Sequence, residues 1–254
     1  MFIHNIDPVL FSIGPIAIRY YGIIYALGFL MAYYVFKKAS EKKIIPWTQD
    51  DLERYMLWLM IGVVSGARIF EILFYHPTFY FSNPLEMVQI WHGGLSFHGG
   101  LVGAFLITYL FARKKNIAFL QLADILVLPA ALALALGRIA NFINGEVYGI
   151  PTNLPWAVQF PTDPQPRHPS QIYEAIKNML IFSVLLLIQT KKPRQGIVCA
   201  TFFVLYGTVR FFIEFVKEPE MMVGPLTMGQ VLSIPMVIGG IWLFYYLFHK
   251  KSVS

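Results

Sequence analysis

The residues from which chemistry is most readily read lie in Gly137-Arg-Ile-Ala-Asn-Phe-Ile-Asn-Gly-Glu-Val-Tyr-Gly149. They follow residues 125–136, an uncharged run rich in Leu and Ala. A charged side chain at mid-bilayer costs roughly 2.5–3.5 kcal/mol on insertion scales, so such residues are usually kept for function. Arg138 and Asn141 are three apart and share a helix face. Glu146 follows, and Gly145 and Gly149 permit a tight turn and close backbone approach. This pattern suits an anion-binding floor. The plainer alternative is a snorkelling arginine at a helix end followed by a turn.

A second cluster has Tyr206, Arg210 and Glu214 spaced by four, so that one helix face carries all three. A structural ion pair locking helices is one reading. A second arginine near the outer end of a span favours another, in which Arg138 and Arg210 hold a buried anion between them. A third cluster is Trp91-His-Gly-Gly-Leu-Ser-Phe-His-Gly-Gly100. His98 there is a candidate base, since its reference pKa is about 6.5; a hydrogen-bonded structural histidine is the alternative. Gly93, Gly100 and Leu101 suit tight helix packing. A fourth, Arg167-His-Pro-Ser-Gln-Ile-Tyr-Glu174, bunches donors and acceptors, with Ser170 as a helix cap. Arg68 and Glu71 are spaced to pair, Asp124 reads as a helix-start acid, Tyr21 as an interface anchor, and Cys199 as an inert wall residue.

The chain that must position these groups has 254 residues, 57% hydrophobic, 16% aromatic and 13% charged, with mean hydropathy +0.58. That composition fits a polytopic membrane protein rather than a soluble domain. The net charge of +6 reads as basic cytoplasmic loops beside anionic lipid, and no aromatic-basic nucleic-acid motif is present. A single cysteine, Cys199, excludes an internal disulfide and a cysteine zinc site. Residues 1–15 do not resemble a cleavable signal peptide. Gly-x-Ser-x-Gly, HExxH and phosphate-loop motifs are absent, which disfavours a serine hydrolase, a zinc protease and an ATPase.

Seven apolar segments are long enough to span a bilayer: 16–36, 52–75, 93–112, 120–142, 172–188, 196–216 and 228–248. The fifth is short and is expected to begin with the polar residues near Gln171. Basic residues follow alternate spans: Lys37, Lys38, Lys42 and Lys43; Arg113, Lys114 and Lys115; Lys191, Lys192 and Arg194; Lys250 and Lys251. Basic loops stay in the cytoplasm, so the N-terminus is expected outside and the C-terminus inside. The loop 143–170 holds six prolines, which exclude a regular helix and suggest a small, irregular, outward-facing cap. Thr48-Gln-Asp-Asp51 resembles a capping box opening the second span. The expectation is an all-α polytopic membrane protein of about seven helices, with residues 1–254 forming one transmembrane domain.

Gly137-Arg-Ile-Ala-Asn-Phe-Ile-Asn-Gly-Glu146 closely resembles the signature of the bacterial prolipoprotein diacylglyceryl transferases. Asp7-Pro-Val, Tyr21-Gly22, the His-Gly-Gly repeat ending at His98, Arg167-His-Pro-Ser-Gln-x-Tyr-Glu174, Tyr206-Gly-x-x-Arg210-x-x-x-Glu214 and Met228-Gly-Gln-x-Leu-Ser follow in that family's order. The resemblance covers almost the whole chain. It implies transfer of diacylglyceryl from phosphatidylglycerol to the lipobox cysteine thiol of a secreted prolipoprotein, in the inner membrane, releasing glycerol phosphate. It implies His98, Arg138 and Arg210 as catalytic residues. Tyr21, Asn141, Glu146, Gly149, Tyr206 and Glu214 are implied as substrate-binding, with Tyr21 and Asn141 bonding the headgroup and Glu214 orienting Arg210. No metal or cofactor is required for substitution at carbon with a phosphate leaving group. Lys217 stands where the family usually has arginine, Glu71 beside Arg68 is unusual, and the outer loop is short. The other classes weighed are a transporter or channel for an anionic solute, expected to show inverted repeats that are not found here, and a non-catalytic membrane scaffold.

Overall fold

A computed structural model describes residues 2–13, 16–219 and 221–249. The basic residues Lys250 and Lys251 lie outside the described residues. In chain order the elements are strands β1 (Phe2–Ile3), β2 (Val9–Ile13) and β3 (Ile16–Arg19), then helices α1 (Tyr20–Glu41), α2 (Gln49–Phe70), α3 (Pro77–Ser82), α4 (Phe97–Lys114) and α5 (Phe119–Asn144). Strands β4 (Val158–Gln159) and β5 (Pro166–Arg167) precede α6 (Ser170–Thr190) and α7 (Ile197–Ile213). Strands β6 (Met222–Val223) and β7 (Leu226–Thr227) precede α8 (Met228–His249). A long helix stands at each of the seven expected spans. Five stretches among the described residues are long and apolar enough to cross a membrane: Gln49–Tyr75, Phe119–Asn144, Ser170–Thr190, Ile197–Val216 and Met228–His249. The chain is therefore mostly helical and multi-pass.

Two boundaries differ from expectation for local reasons. Residues 16–19 belong to an antiparallel hairpin of β2 with β3, so the first helix begins only at Tyr20. Gly93 and Gly94 have φ of +92° and +72°, which hold the chain out of helix until Ser96 caps α4. As expected, α6 takes in the polar residues around Gln171.

The chain divides into two compact units, Met1–Met31 with Asp124–Ser254, and Ala32–Ala123. In the second, Thr48 and Asp51 form the expected reciprocal capping box at the start of α2. Helices α2 and α4 pack backbone to backbone through glycines four apart. A Cβ at Gly66 would strike the Gly99 carbonyl, and one at Gly103 would strike the carbonyl of Gly62. The closest packing glycines of α4 are thus Gly99 and Gly103, Gly100 also faces Val63 and Ala67 of α2 as expected, and Gly93 lies before the helix. Phe36, Trp47, Tyr55 and Phe111 form the buried aromatic knot of this unit.

The expected Arg68–Glu71 pair does not form. A turn of π-helix over Glu71–Tyr75 brings the Glu71 carboxylate to His76 at 2.8 Å. Arg68 turns instead to main-chain carbonyls of the connection to α4. It donates to Gly93 at 2.6 Å, Gly94 at 2.9 Å, Met87 at 3.1 Å and Gln89 at 3.2 Å, to the carbonyl of Glu86, and to the Tyr80 hydroxyl at 2.9 Å.

In the first unit α7 and α8 pack closely at Gly207, which faces the Ser233 carbonyl, and at Gly240, which faces the Ala200 carbonyl. Asp124 does not serve its own helix start, which lies at Phe119. Its buried carboxylate accepts from the backbone N–H of Gly196 at 2.6 Å and of Cys199 at 2.7 Å, and so caps the N-terminus of α7. Ser170 is likewise not a cap for α6: it is the first helical residue and donates to the Val147 carbonyl at 3.1 Å. Residues 145–169 are more ordered than their prolines suggest. β4 pairs antiparallel with β5 and parallel with β1, giving a three-stranded sheet. Gly149 is bridged to Lys217, and a Cβ there would meet the Val216 carbonyl and His168, so only glycine permits the close crossing.

Candidate functional site

The site is built in the first unit from the last turns of α5, the first turns of α6, and α7 with the connection after it. On α5 the spacing of three brings Arg138 Nη1 to Asn141 Oδ1 at 3.3 Å. Gly145 at φ +69° and Val147 at φ +59° reverse the chain immediately after the helix. The reversal returns Glu146 to Asn141, whose Nδ2 donates to Glu146 Oε1 at 3.0 Å. The Tyr21 hydroxyl donates to the same oxygen at 2.6 Å and also lies against Asn141 Nδ2. Tyr21 is thus part of a hydrogen-bonded triad with Asn141 and Glu146, not an isolated interface anchor.

Helix α6 supplies Glu174, whose side chain is 1% exposed. Its Oε2 lies 3.1 Å from Arg138 Nε, and its Oε1 accepts from Arg210 Nη1. The two arginines therefore do converge, and a carboxylate of the chain itself stands between them. Arg210 Nη2 is 2.5 Å from Glu214 Oε1, one helical turn on. Glu214 is fixed in turn by the Thr227 hydroxyl, which donates to Oε2 at 2.6 Å, and by Gly229, where any Cβ would collide with the carboxylate.

Two lysines complete the cluster. Lys217 Nζ lies 3.9 Å from Glu174 and 4.0 Å from Glu214. Lys177 Nζ lies 3.8 Å from Glu174 Oε2 and 3.9 Å from the ring centre of the buried Tyr206. Four cations thus meet two buried carboxylates within ion-pair reach. Desolvated unlike charges hold their geometry strongly, while a surplus of one sign projects potential toward any ligand of the other. Chemically, the arrangement can hold an anion and strengthen its grip as negative charge grows.

The remaining expected residues fall as follows. Gly149 serves the crossing described above, where its N–H donates to the His168 carbonyl at 2.8 Å. His98 belongs to the other unit, exposed at the start of α4, with Nδ1 3.2 Å from the Tyr75 hydroxyl. At the end of β5, Arg167 clips the sheet region by Nε to Asp163 at 3.0 Å and by Nη1 to Glu218 at 2.5 Å. The Gln165 backbone N–H and the Arg167 guanidinium hold the Asp163 carboxyl below its ordinary range. Burial holds the His168 imidazole below its own. Sequence reasoning did not place Glu174, Lys177 or Thr227 in the site. Glu174 and Lys177, an acid and a base three apart at the start of an apolar helix, were the available signal; Thr227 offered none.

A family model described as prolipoprotein diacylglyceryl transferase matches residues 8–246. A protein of Geobacter sulfurreducens named phosphatidylglycerol–prolipoprotein diacylglyceryl transferase is 42% identical over 253 residues, covering 97% of each chain. Proteins of the same name from Bordetella parapertussis and Aliivibrio salmonicida are 43% and 40% identical, covering 98% and 97% of this chain and 98% and 89% of their own lengths. Full-length similarity at this level leaves no part of the cluster outside the match, and the chain belongs to the prolipoprotein diacylglyceryl transferase family.

Proposed function

We propose that this protein is a transferase that moves the diacylglyceryl group of phosphatidylglycerol to the lipobox cysteine thiol of prolipoproteins, the first step of lipoprotein maturation. The observation that carries the reading is the cluster of Arg138, Arg210 and Glu174, in a chain of a family named for this reaction. The lipid phosphate enters with one negative charge and leaves with more once its carbon–oxygen bond is cut. Guanidinium groups already held by Glu174 and Glu214 stabilise that growth without reorganising, and fixed donors of this kind favour the transition state over the ground state. Arg138 and Arg210 act as the phosphate clamp. Tyr21, Asn141 and Glu146 bond the headgroup, Tyr206 and Gly149 shape the site, and Glu214 orients Arg210.

The acceptor thiol has a reference pKa of about 8.5 and attacks as thiolate. His98 is the proposed proton acceptor. No metal or cofactor takes part. The chain acts as one membrane domain of about seven spans in the bacterial inner membrane, N-terminus outside and C-terminus in the cytoplasm, with residues 143–170 as an outward cap. Its partners are the bilayer, phosphatidylglycerol and the lipobox segment of the precursor, and nucleic acid is not among them.

The test is direct. Purified protein, phosphatidylglycerol and a lipobox peptide should yield a lipidated peptide and glycerol phosphate by mass spectrometry. Anion flux in vesicles with no lipidated product would contradict the assignment. His98→Gln should slow transfer and alter the pH–rate profile; an unchanged profile would remove His98 as the base.

A further inference from the structure

The charge count of the cluster exceeds what a phosphodiester needs. Arg138, Lys177, Arg210 and Lys217 approach only two buried carboxylates, Glu174 and Glu214. Glu146 is joined to the cluster through Asn141 and is exposed, so solvent screens it. The surplus is therefore close to two positive charges in a buried setting. Lys177 is the most telling member. Its side chain is 2% exposed, its ammonium has no hydrogen-bond partner among the described residues, and it lies 3.8 Å from the Glu174 carboxylate and 3.9 Å from the centre of the Tyr206 ring. A buried ammonium with three donors and no acceptor is costly unless a ligand completes it. On the same helix, the fully buried Asn178 also has no hydrogen-bond partner for either amide atom among the described residues.

We propose that Lys177 is a further phosphate-binding residue, and that it matches the site to the dianionic phosphate monoester that leaves rather than to the monoanionic diester that enters. The proposal rests on the transfer reaction above. In that reaction the thiol proton passes to the base and a carbon–sulfur bond forms at the glyceryl carbon. The carbon–oxygen bond there breaks, and its electron pair stays on the phosphate. The diester with one charge becomes a monoester with about two at neutral pH, since the second phosphate pKa is near 6. A surplus of two positive charges complements the product and the late transition state better than the substrate, which is where binding accelerates chemistry. The same match makes the released glycerol phosphate a retained product and an inhibitor.

The experiment compares two soluble probes, glycerol phosphate and its methyl diester, as inhibitors of peptide lipidation by the full-length protein. Inhibition by the monoester is expected to be at least about ten-fold tighter than by the diester, as one more charge near the cluster requires. Lys177→Met should reduce that preference by about ten-fold, and Lys177→Arg should restore most of it. Equal inhibition of the wild type by both probes overturns the proposal, as does an undiminished preference in a folded Lys177→Met. Should Lys177→Met not fold, the wild-type preference alone decides. A wild-type protein that lipidates no peptide would overturn the functional reading instead. Calorimetric binding of the two probes would then still show whether the charge match exists.

Discussion

Two arginine sites, one in each compact unit, solve the same problem in opposite ways. Arg68 is held by main-chain dipoles, which satisfy its donors without an opposing charge. Its guanidinium donates to five backbone carbonyls and one hydroxyl, with no carboxylate paired to it among the described residues. Arg138 and Arg210 are neutralised by carboxylates, in a cluster where two lysines restore the positive excess. A cation satisfied by carbonyls staples a loop. Paired cations with unbalanced neighbours are poised for an anion. Residue type does not separate the two; the partners do.

The comparison breaks most visibly in paired alanine variants. Arg138→Ala or Arg210→Ala should lower transfer by a factor on the order of 10²–10³, the usual cost of removing a fixed oxyanion donor, with a modest change in melting temperature. Arg68→Ala should do the reverse. Leaving buried carbonyls without a donor should destabilise by about 3 kcal/mol, or roughly 6–12 °C in a thermal melt, while the folded fraction keeps turning over. If Arg68→Ala inactivates without destabilising, the division of roles fails.

Glu174→Gln sharpens the ionic side. It keeps the shape but removes the charge that joins the two guanidinium groups. Transfer should fall by about 10–10²-fold through lost orientation, with Glu174→Asp less affected, as steady-state kinetics would show. A rate within two-fold of wild type would mean that the arginines are held by other contacts.

Much of this division could be read in the amino-acid order, and some could not. The helices were legible because long apolar runs and basic flanks are local signals, and the arginines because a charge in such a run is conspicuous. Partners were less legible. Arg68 and Glu71 have the spacing of a pair, yet a π-turn and a returning loop offered better acceptors to one and His76 to the other. Asp124 caps a helix 72 residues away. The role of Glu174 as the anion between two arginines depends on three helices meeting, which no spacing along one helix encodes. The small sheet in the proline-rich loop depends on β1, more than 150 residues earlier in the chain.

The smallest expected effect lies at the loop clip. Asp163 carries a depressed pKa, so its charge stabilises the folded form above its ordinary pKa of about 3.9, and that contribution is lost as pH falls through the lower folded value. Asp163→Asn should lower the melting temperature slightly between pH 6 and 8, and the gap to wild type should narrow below about pH 4. A gap that does not vary with pH would assign the effect to packing rather than charge.

The claim on which the account turns is that Arg138 and Arg210 receive the lipid phosphate. Phosphorus NMR of phosphatidylglycerol, titrated with wild-type protein and with the Arg138→Ala/Arg210→Ala variant in the same detergent, measures this most directly. The account predicts a broadened, shifted phosphate signal with wild type that disappears with the folded double variant. The same bound signal in both proteins would contradict it.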